Sequence, residues 1–329
     1  MTLIFDVLLV LLGGWAASWL VQRVGLPGLV GMLLYGIAIG PFGLDWLSAG
    51  LQERAPDVSV IALVIVIVSS FFAIDIATLR RDATIIGLVG TVPGLLEGFV
   101  VMGASMLLLG FTWSQGGILG FTIAVVSPAV VVPTMIRLKE QGWGMDKSIP
   151  VVVLSATNLD GLMAIILWIL FMTIEVGGGD VLEVVADTVG QILLGGLFGL
   201  AVGWFGGKAL DRWGKGRSLL LRTSLTVGSS VAVFAAAQAM GLNAAAALLV
   251  FGLVLVNVTN VEMGDVGEVV GQIWKVASIL LFVLIGSIAD LDQVSSVLGV
   301  GLVIIAAGVS ARLLGAMGSL RLSAPHLTW

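Results

Sequence analysis

The sequence contains no cysteine and a single histidine, His326. Disulfide frameworks, thiolate chemistry and zinc sites built from Cys and His are therefore excluded. Charge is scarce as well. Asp, Glu, Lys and Arg make up 11% of the chain, against about 25% in an average soluble domain. With 15 Lys+Arg against 20 Asp+Glu, there is no basic face for nucleic acid. What the chain does have is apolar surface: 59% hydrophobic residues and a mean hydropathy of +1.16. It also has 45 glycines in 329 residues, which suits closely packed membrane helices. These proportions describe an all-α polytopic membrane protein.

Residues 1–22 are apolar, and the only charge before Arg23 is Asp6. A signal peptide needs a positive n-region and a small-residue cleavage site, so this stretch is expected to be the first spanning helix. A span takes about 20 mostly apolar residues. About eleven transmembrane helices follow from that criterion: 3–22, 27–44, 58–78, 84–110, 114–137, 148–173, 181–210, 218–240, 243–258, 267–289 and 295–320. The ninth is short. On the side reached after the first span lie Arg23, Arg80, Arg81, Arg137, Lys139, Lys147, Lys208, Arg212, Lys215, Arg217, Arg222 and Arg321; the opposite side holds only Arg54. Lys275 and Arg312 fall within spans, Lys275 near an end like Asp75. The positive-inside rule then puts the N-terminus outside and the C-terminus in the cytoplasm, in the inner (plasma) membrane of a cell.

An internal repeat is visible. Gly25-Leu26 … Leu33-Leu34-Tyr35-Gly36 and Gly241-Leu242 … Leu249-Val250-Phe251-Gly252 match at a constant offset of 216, with four of twelve positions identical. Seven spans separate the two segments, so they run in opposite directions, as an inverted-topology repeat requires. If spans one to six form one repeat and the seventh is a linker, the second repeat is truncated and is expected to be missing its final two helices. Gly195, Gly199 and Gly203 recur every four residues on the seventh span, a spacing suited to close helix packing. The basic 208–222 loop is accounted for by the positive-inside rule.

Charges inside a span are expensive and mark either function or a paired structural group. Glu97 lies 13 residues into the fourth span, and Arg312 two-thirds of the way through the eleventh. Asp160 is 10 residues beyond Pro150, about 15 Å into the sixth span at 1.5 Å per residue. A carboxylate near the midplane can bind a proton or a small cation. Ser155, Thr157 and Asn158 beside it supply oxygen ligands acceptable to a hard monovalent cation. Glu97 and Arg312 occupy roughly corresponding places in the two repeats. They can pair with each other as a structural bridge, or either can pair with Asp160. Arg312 stays charged and is a counter-ion rather than a proton carrier. Ser127-Pro128 and Pro133 put two prolines into the fifth span. Each proline removes a helix hydrogen bond. Backbone freed at that depth is tolerated where protein or a water-filled cavity satisfies it, so a broken helix offering carbonyls to an ion is one reading and a proline kink the other.

Four segments carry a resemblance. FTIAVVSPAVVVPTMIRLKEQGWGMDKSIPVVVLSATNLDGLMAI (121–165) resembles the broken-helix and aspartate-helix region of NHA-type sodium/proton antiporters, of the monovalent cation:proton antiporter superfamily. LPGLVGMLLYGIAIGPFGL (26–44), TVPGLLEG (91–98), and FVLIGSIADL followed by SARLL (310–314) are similar to its early LP…GP helix and to the helices of its buried Glu and Arg. The resemblance covers nearly the whole chain. It implies a scaffold or dimerisation domain (1–80 and 218–291), a mobile core domain for ion translocation (84–175 and 295–320), a linker helix (180–213) and a homodimer. The family carries two adjacent carboxylates, or Asn-Asp, on the sixth helix; counted from Pro150, Asp160 falls on the first position and Gly161 on the second. Its second broken helix and the helix after it would follow Arg312.

The expected activity is Na+ or Li+ exchange for protons. Asp160 binds H+ or the cation alternately, Thr157, Asn158 and the opened backbone near Ser127 coordinate the ion, and Glu97 and Arg312 set the local field. Pro128 and Pro133 open the helix. No organic cofactor and no enzymatic reaction is expected; the partners are Na+/Li+, H+, the lipid bilayer and a second copy of the chain. One titrating carboxylate implies electroneutral one-for-one exchange. The alternative is a truncated, transport-incompetent homologue serving as a membrane scaffold or dimer partner. An organic-anion carrier of the same broad fold has only Arg312 to recommend it.

Overall fold

A computed structural model describes residues 3–72, 76–144, 148–177, 180–214 and 216–323. Asp75, Lys147, Lys215 and His326 lie outside the described residues. Among those described there is no strand. The helices in chain order are α1 (Leu3–Gln22), α2 (Gly28–Ile39), α3 (Ala49–Glu53), α4 (Ala55–Phe71), α5 (Ile76–Arg81), α6 (Ala83–Val89), α7 (Val92–Leu109) and α8 (Trp113–Ala124). They continue with α9 (Pro128–Glu140), α10 (Ile149–Val176), α11 (Val181–Trp213), α12 (Leu219–Ala239), α13 (Ala244–Val258), α14 (Gly264–Ser287) and α15 (Leu291–Ser323). Seven segments are long and apolar enough to cross a membrane, and α2, α4 and α13 are shorter apolar helices. The protein is thus an all-helical, multi-pass membrane protein.

Helix falls on every span expected from hydropathy; the third is covered by α4 and α5, with 73–75 outside the described residues, and the fourth and fifth are each cut in two. The fourth divides into α6 and α7 around Gly90 and Thr91, just before Pro93. The fifth divides into α8 and α9 over 125–127, just before Pro128. In both places a proline occupies the first turn of the new helix, where its missing N–H costs nothing. The short helices α2 and α13 begin at Gly28 and Ala244, which are 244 − 28 = 216 residues apart, the offset of the sequence repeat.

The chain divides into two compact units. The first comprises Met1–Ser69 and Gly264–Leu298. Its centre is the contact of α2 with α14, where glycines replace side chains. A Cβ on Gly36 would run into the carbonyl oxygen of Val283, and one on Gly286 into that of Leu33. Such bare faces let helix backbones touch, the main source of packing energy between membrane helices. Val10, Ile39, Leu47, Leu51, Val283 and Leu284 fill the space beside this contact. Asp6 is fully buried there, and its Oδ2 accepts the Ser48 hydroxyl.

The second unit comprises Ser70–Met263 and Gly299–Trp329. One half is built on α11 against α13. Gly195, Gly199 and Gly203 meet the carbonyl oxygens of Asn243, Ala247 and Phe251 in successive turns, the close packing their spacing implies. The other half surrounds α10, which packs on α6, α8, α9 and α11. Phe121, Ala124, Ala164 and Phe171 form one apolar cluster here, and Ile86, Val152 and Ala156 another. Leu107, Leu200, Phe205 and Leu313 are exposed, as expected of helices that are apolar all round and face hydrocarbon.

Candidate ion site in the second unit

The broken fifth span explains itself within four residues. In a continuing helix the carbonyl of Ala124 would accept the N–H of residue 128. Residue 128 is proline and has none. The chain leaves the helix instead, with Val125 at φ −63, ψ 111 and Ser127 at φ −75, ψ 116. The orphaned carbonyl is met from α15: Arg312 Nη2 donates to Ala124 O at 2.5 Å. A cation at a helix C-terminus is also favoured by the helix dipole.

The same guanidinium holds two acids. Arg312 Nε donates to Glu97 Oε2 on α7, and Nη1 donates to Asp160 Oδ2 on α10 at 3.1 Å. Four elements of the unit therefore converge on one side chain. The side chains of Glu97 and Asp160 are only 6% and 5% exposed, and that of Arg312 is 24% exposed, so both carboxylates are enclosed while the arginine is partly exposed. The sequence left three pairings open for these residues. The structure realises Glu97–Arg312 and Asp160–Arg312 together.

Glycine makes the convergence possible. A Cβ on Gly94 would collide with Asp160 Oδ1 and lie 3.0 Å from its Cγ. One turn earlier, a Cβ on Gly90 would lie 2.8 Å from the carbonyl oxygen of Ala156. The interruption between α6 and α7 thus runs beside the aspartate helix on one flank, while the end of α8 closes another. The sequence marks 84–110 as one span, among those long enough to tilt or be interrupted, without placing an interruption at 90–91. The signal was present in Gly90-Thr91-Val92-Pro93.

The remaining candidates are placed as follows. The Thr157 hydroxyl donates to Val153 O at 2.8 Å, and Asn158 Nδ2 donates to Leu154 O at 2.9 Å. Ser155 bonds back to Val151 O in the same manner. Each spends a donor on its own helix and keeps an oxygen as acceptor. Ser127 is exposed at the N-cap of α9 and makes no capping bond; its carbonyl accepts the N–H groups of Val130 and Val131. Pro128 opens α9, whereas α9 runs through Pro133 without interruption. At Gly161 nothing lies within 4 Å of an added Cβ. Among the described residues, no group of three or more His, Cys, Asp or Glu side chains could hold a metal.

Comparison with known proteins agrees with this architecture. The family model described as "Sodium/hydrogen exchanger, transmembrane" matches residues 7–329. Human sodium/hydrogen exchanger 9B1 is 26% identical over 294 residues, covering 88% of this chain and 57% of the relative. Human sodium/hydrogen exchanger 9B2 is 28% identical over 269 residues, covering 80% and 49%. The chain spans about half the length of the curated relatives it matches. The sodium proton antiporter MjNhaP1 from Methanocaldococcus jannaschii superposes with a TM-score of 0.77 at 17% identity, covering 96% of this chain and 78% of that one, which establishes a common fold. This chain belongs to the sodium/hydrogen exchanger family of transmembrane proteins, as the NHA-type resemblance of its 121–165 segment implies.

Proposed function

We propose that the chain exchanges a monovalent cation, Na+ or Li+, for a proton, with Asp160 holding the two alternately. The observation that carries this reading is the charge of the buried cluster. Two enclosed carboxylates, Glu97 and Asp160, share the single guanidinium of Arg312, so the cluster carries one negative charge more than Arg312 balances whenever both acids are ionised. One proton or one monovalent cation neutralises it. An unbalanced charge at membrane depth is costly, so the cluster favours being occupied by one of them, and occupancy by either excludes the other. Mutual exclusion at a single group is what couples two opposed fluxes.

An entering cation competes with Arg312 Nη1 for Asp160. Arg312 keeps Glu97 and the Ala124 carbonyl as partners when it yields. The acceptor oxygens of Thr157 and Asn158, and backbone near Ser127, are the proposed further ligands. A one-charge cluster makes the exchange one-for-one and electroneutral. The proposed core domain, 84–175 with 295–320, contains all three charged residues. The proposed scaffold domain, 1–80 with 218–291, would pair two copies as a homodimer in the inner (plasma) membrane. The Lys/Arg asymmetry supports an outside N-terminus and a cytoplasmic C-terminus.

The test is dissipation of a pH gradient in proteoliposomes on addition of Na+, Li+ or K+. Cation-dependent dissipation is expected from the native chain and none from Asp160→Asn. Equal dissipation by folded Asp160→Asn would remove Asp160 from the mechanism.

A further inference from the structure

Far from the charged cluster, the first turn of α8 converges on one acid of α10. Glu175 Oε1 accepts Gln115 Nε2 at 2.9 Å, and Oε2 accepts the Ser114 hydroxyl and, at 3.5 Å, the Thr112 hydroxyl. Thr112 and Gln115 also form the capping box that starts α8. The opposite end of α8 is the Ala124 carbonyl, about 17 Å away along the helix, where it meets Arg312.

The sides of α8 pack on α7 and α10 through apolar contacts and bare glycines, which carry no hydrogen bonds between side chains. Its contact with α7 runs over Gly116 and Gly120, where a Cβ would reach the carbonyl oxygens of Met102 and Gly98. Its contact with α10 places Gly117 beneath the ring of Phe171, and Phe121 stacks on Phe171 at 5.8 Å with the planes only 11° apart. Phe171 of α10 fills the notch at Gly117, and Phe121 of α8 fills the notch at Gly98 on α7; these rings are apolar knobs that share in setting the axial register, and the polar anchor at Glu175 adds to them. Among the described residues, the side-chain hydrogen bonds from the first turn of α8 to α10 go to Glu175.

We propose that Glu175 is a positioning residue that helps fix the height of α8 against α10, and so the height of the Ala124 carbonyl relative to Asp160. The proposal rests on the reading of Asp160 as the ion-binding group. A short helix transmits axial displacement nearly rigidly, so releasing its first turn displaces its last carbonyl. Cation affinity then suffers before turnover does, because the ligands are misplaced while Asp160 and Arg312 are intact.

The experiment pairs two readouts on the full chain in lipid. The first is amide hydrogen exchange over 112–116 and 124–127. The second is the apparent KM and Vmax for Na+ in proteoliposomes. Glu175→Ala is expected to speed amide exchange in both segments on the order of tenfold, since bonds to a charged acceptor are lost. It is expected to raise KM several-fold while Vmax stays within about twofold. Glu175→Asp should restore most of the KM. Gln115→Met, which removes one bond to Glu175 and the capping-box bond from the Thr112 N–H, should give a smaller rise in KM if the alanine variant folds poorly. Faster amide exchange confined to 112–116 with an unchanged KM would overturn the proposal and leave a local cap. Parallel loss of Vmax and thermal stability with no shift in KM would overturn it as well. If the native chain shows no cation exchange, the functional reading fails on its own, and a 124–127 segment that is unaffected by Glu175→Ala still decides against the positioning role.

Discussion

Gly94 on α7 gives a sharp test of the cluster, because the same helix supplies its control. Alanine is favoured over glycine in a helix interior by about 1 kcal/mol. At Gly103 nothing lies within 4 Å of the added Cβ, so Gly103→Ala should realise that gain. At Gly94 the added methyl enters space held by Asp160 Oδ1. Overpacking of this kind costs about 1–3 kcal/mol, which offsets or exceeds the propensity gain. The two variants should therefore differ by about 1–3 kcal/mol, or about 2–6 °C in Tm at about 2 °C per kcal/mol for a chain of this size. Thermal unfolding in detergent can be followed by the fluorescence of the 10 tryptophans. Relief of the clash by rotating the Asp160 carboxylate would weaken its 3.1 Å bond to Arg312, so Gly94→Ala should also weaken cation binding. Equal Tm increases for both variants, with unchanged cation affinity, would show that α7 does not press on Asp160 and would refute the geometry argued for the site.

Three further outcomes are expected. Arg312→Gln leaves two enclosed acids without their counter-ion and should cost about 3–5 kcal/mol of stability; adding Glu97→Gln should recover part of that loss, and strict additivity in the double-mutant cycle would argue against the shared guanidinium. With one titrating carboxylate, the apparent KM for Na+ should rise about tenfold for each unit of pH lost in the range where protons dominate the site; a hundredfold rise per unit in initial-rate measurements would mean that two protons compete. Gly161→Asp has open space for its side chain and should yield folded protein whose exchange rate responds to an imposed potassium-diffusion potential, because a second acid lets two protons move against one cation. Potential-independent exchange by that variant would show that residue 161 does not face the ion.

The spanning segments were legible because hydropathy and length act locally. A stretch of about 20 apolar residues has to form helix in hydrocarbon whatever its neighbours do, since its backbone has no other partners there. The break before Pro128 was equally local: proline at 128 removes the donor that Ala124 would have used four residues earlier. The same chemistry at Pro93 divides α6 from α7. The role of Gly195, Gly199 and Gly203 could be read from their spacing, which puts three missing side chains on one face.

The partners of the charged residues could not be read in this way. Arg312 lies 215 residues from Glu97 and 152 from Asp160, and no periodicity within one helix says how another is rotated or how deep it sits. Sequence restricted the possibilities to a few pairings of three costly charges; the packing of α7, α8, α10 and α15 chose a shared guanidinium that also takes the Ala124 carbonyl. Glu175 carried no sequence signal, being an acid near a helix end like many others, and gained its meaning only when α8 was folded against α10. Composition and local hydrogen bonding determined that this chain is a bundle of membrane helices whose fifth span is either broken or kinked at proline, because those terms act within a few residues. Which buried groups neutralise one another was decided by tertiary structure alone, because electrostatic pairing depends on distance in space and not along the chain.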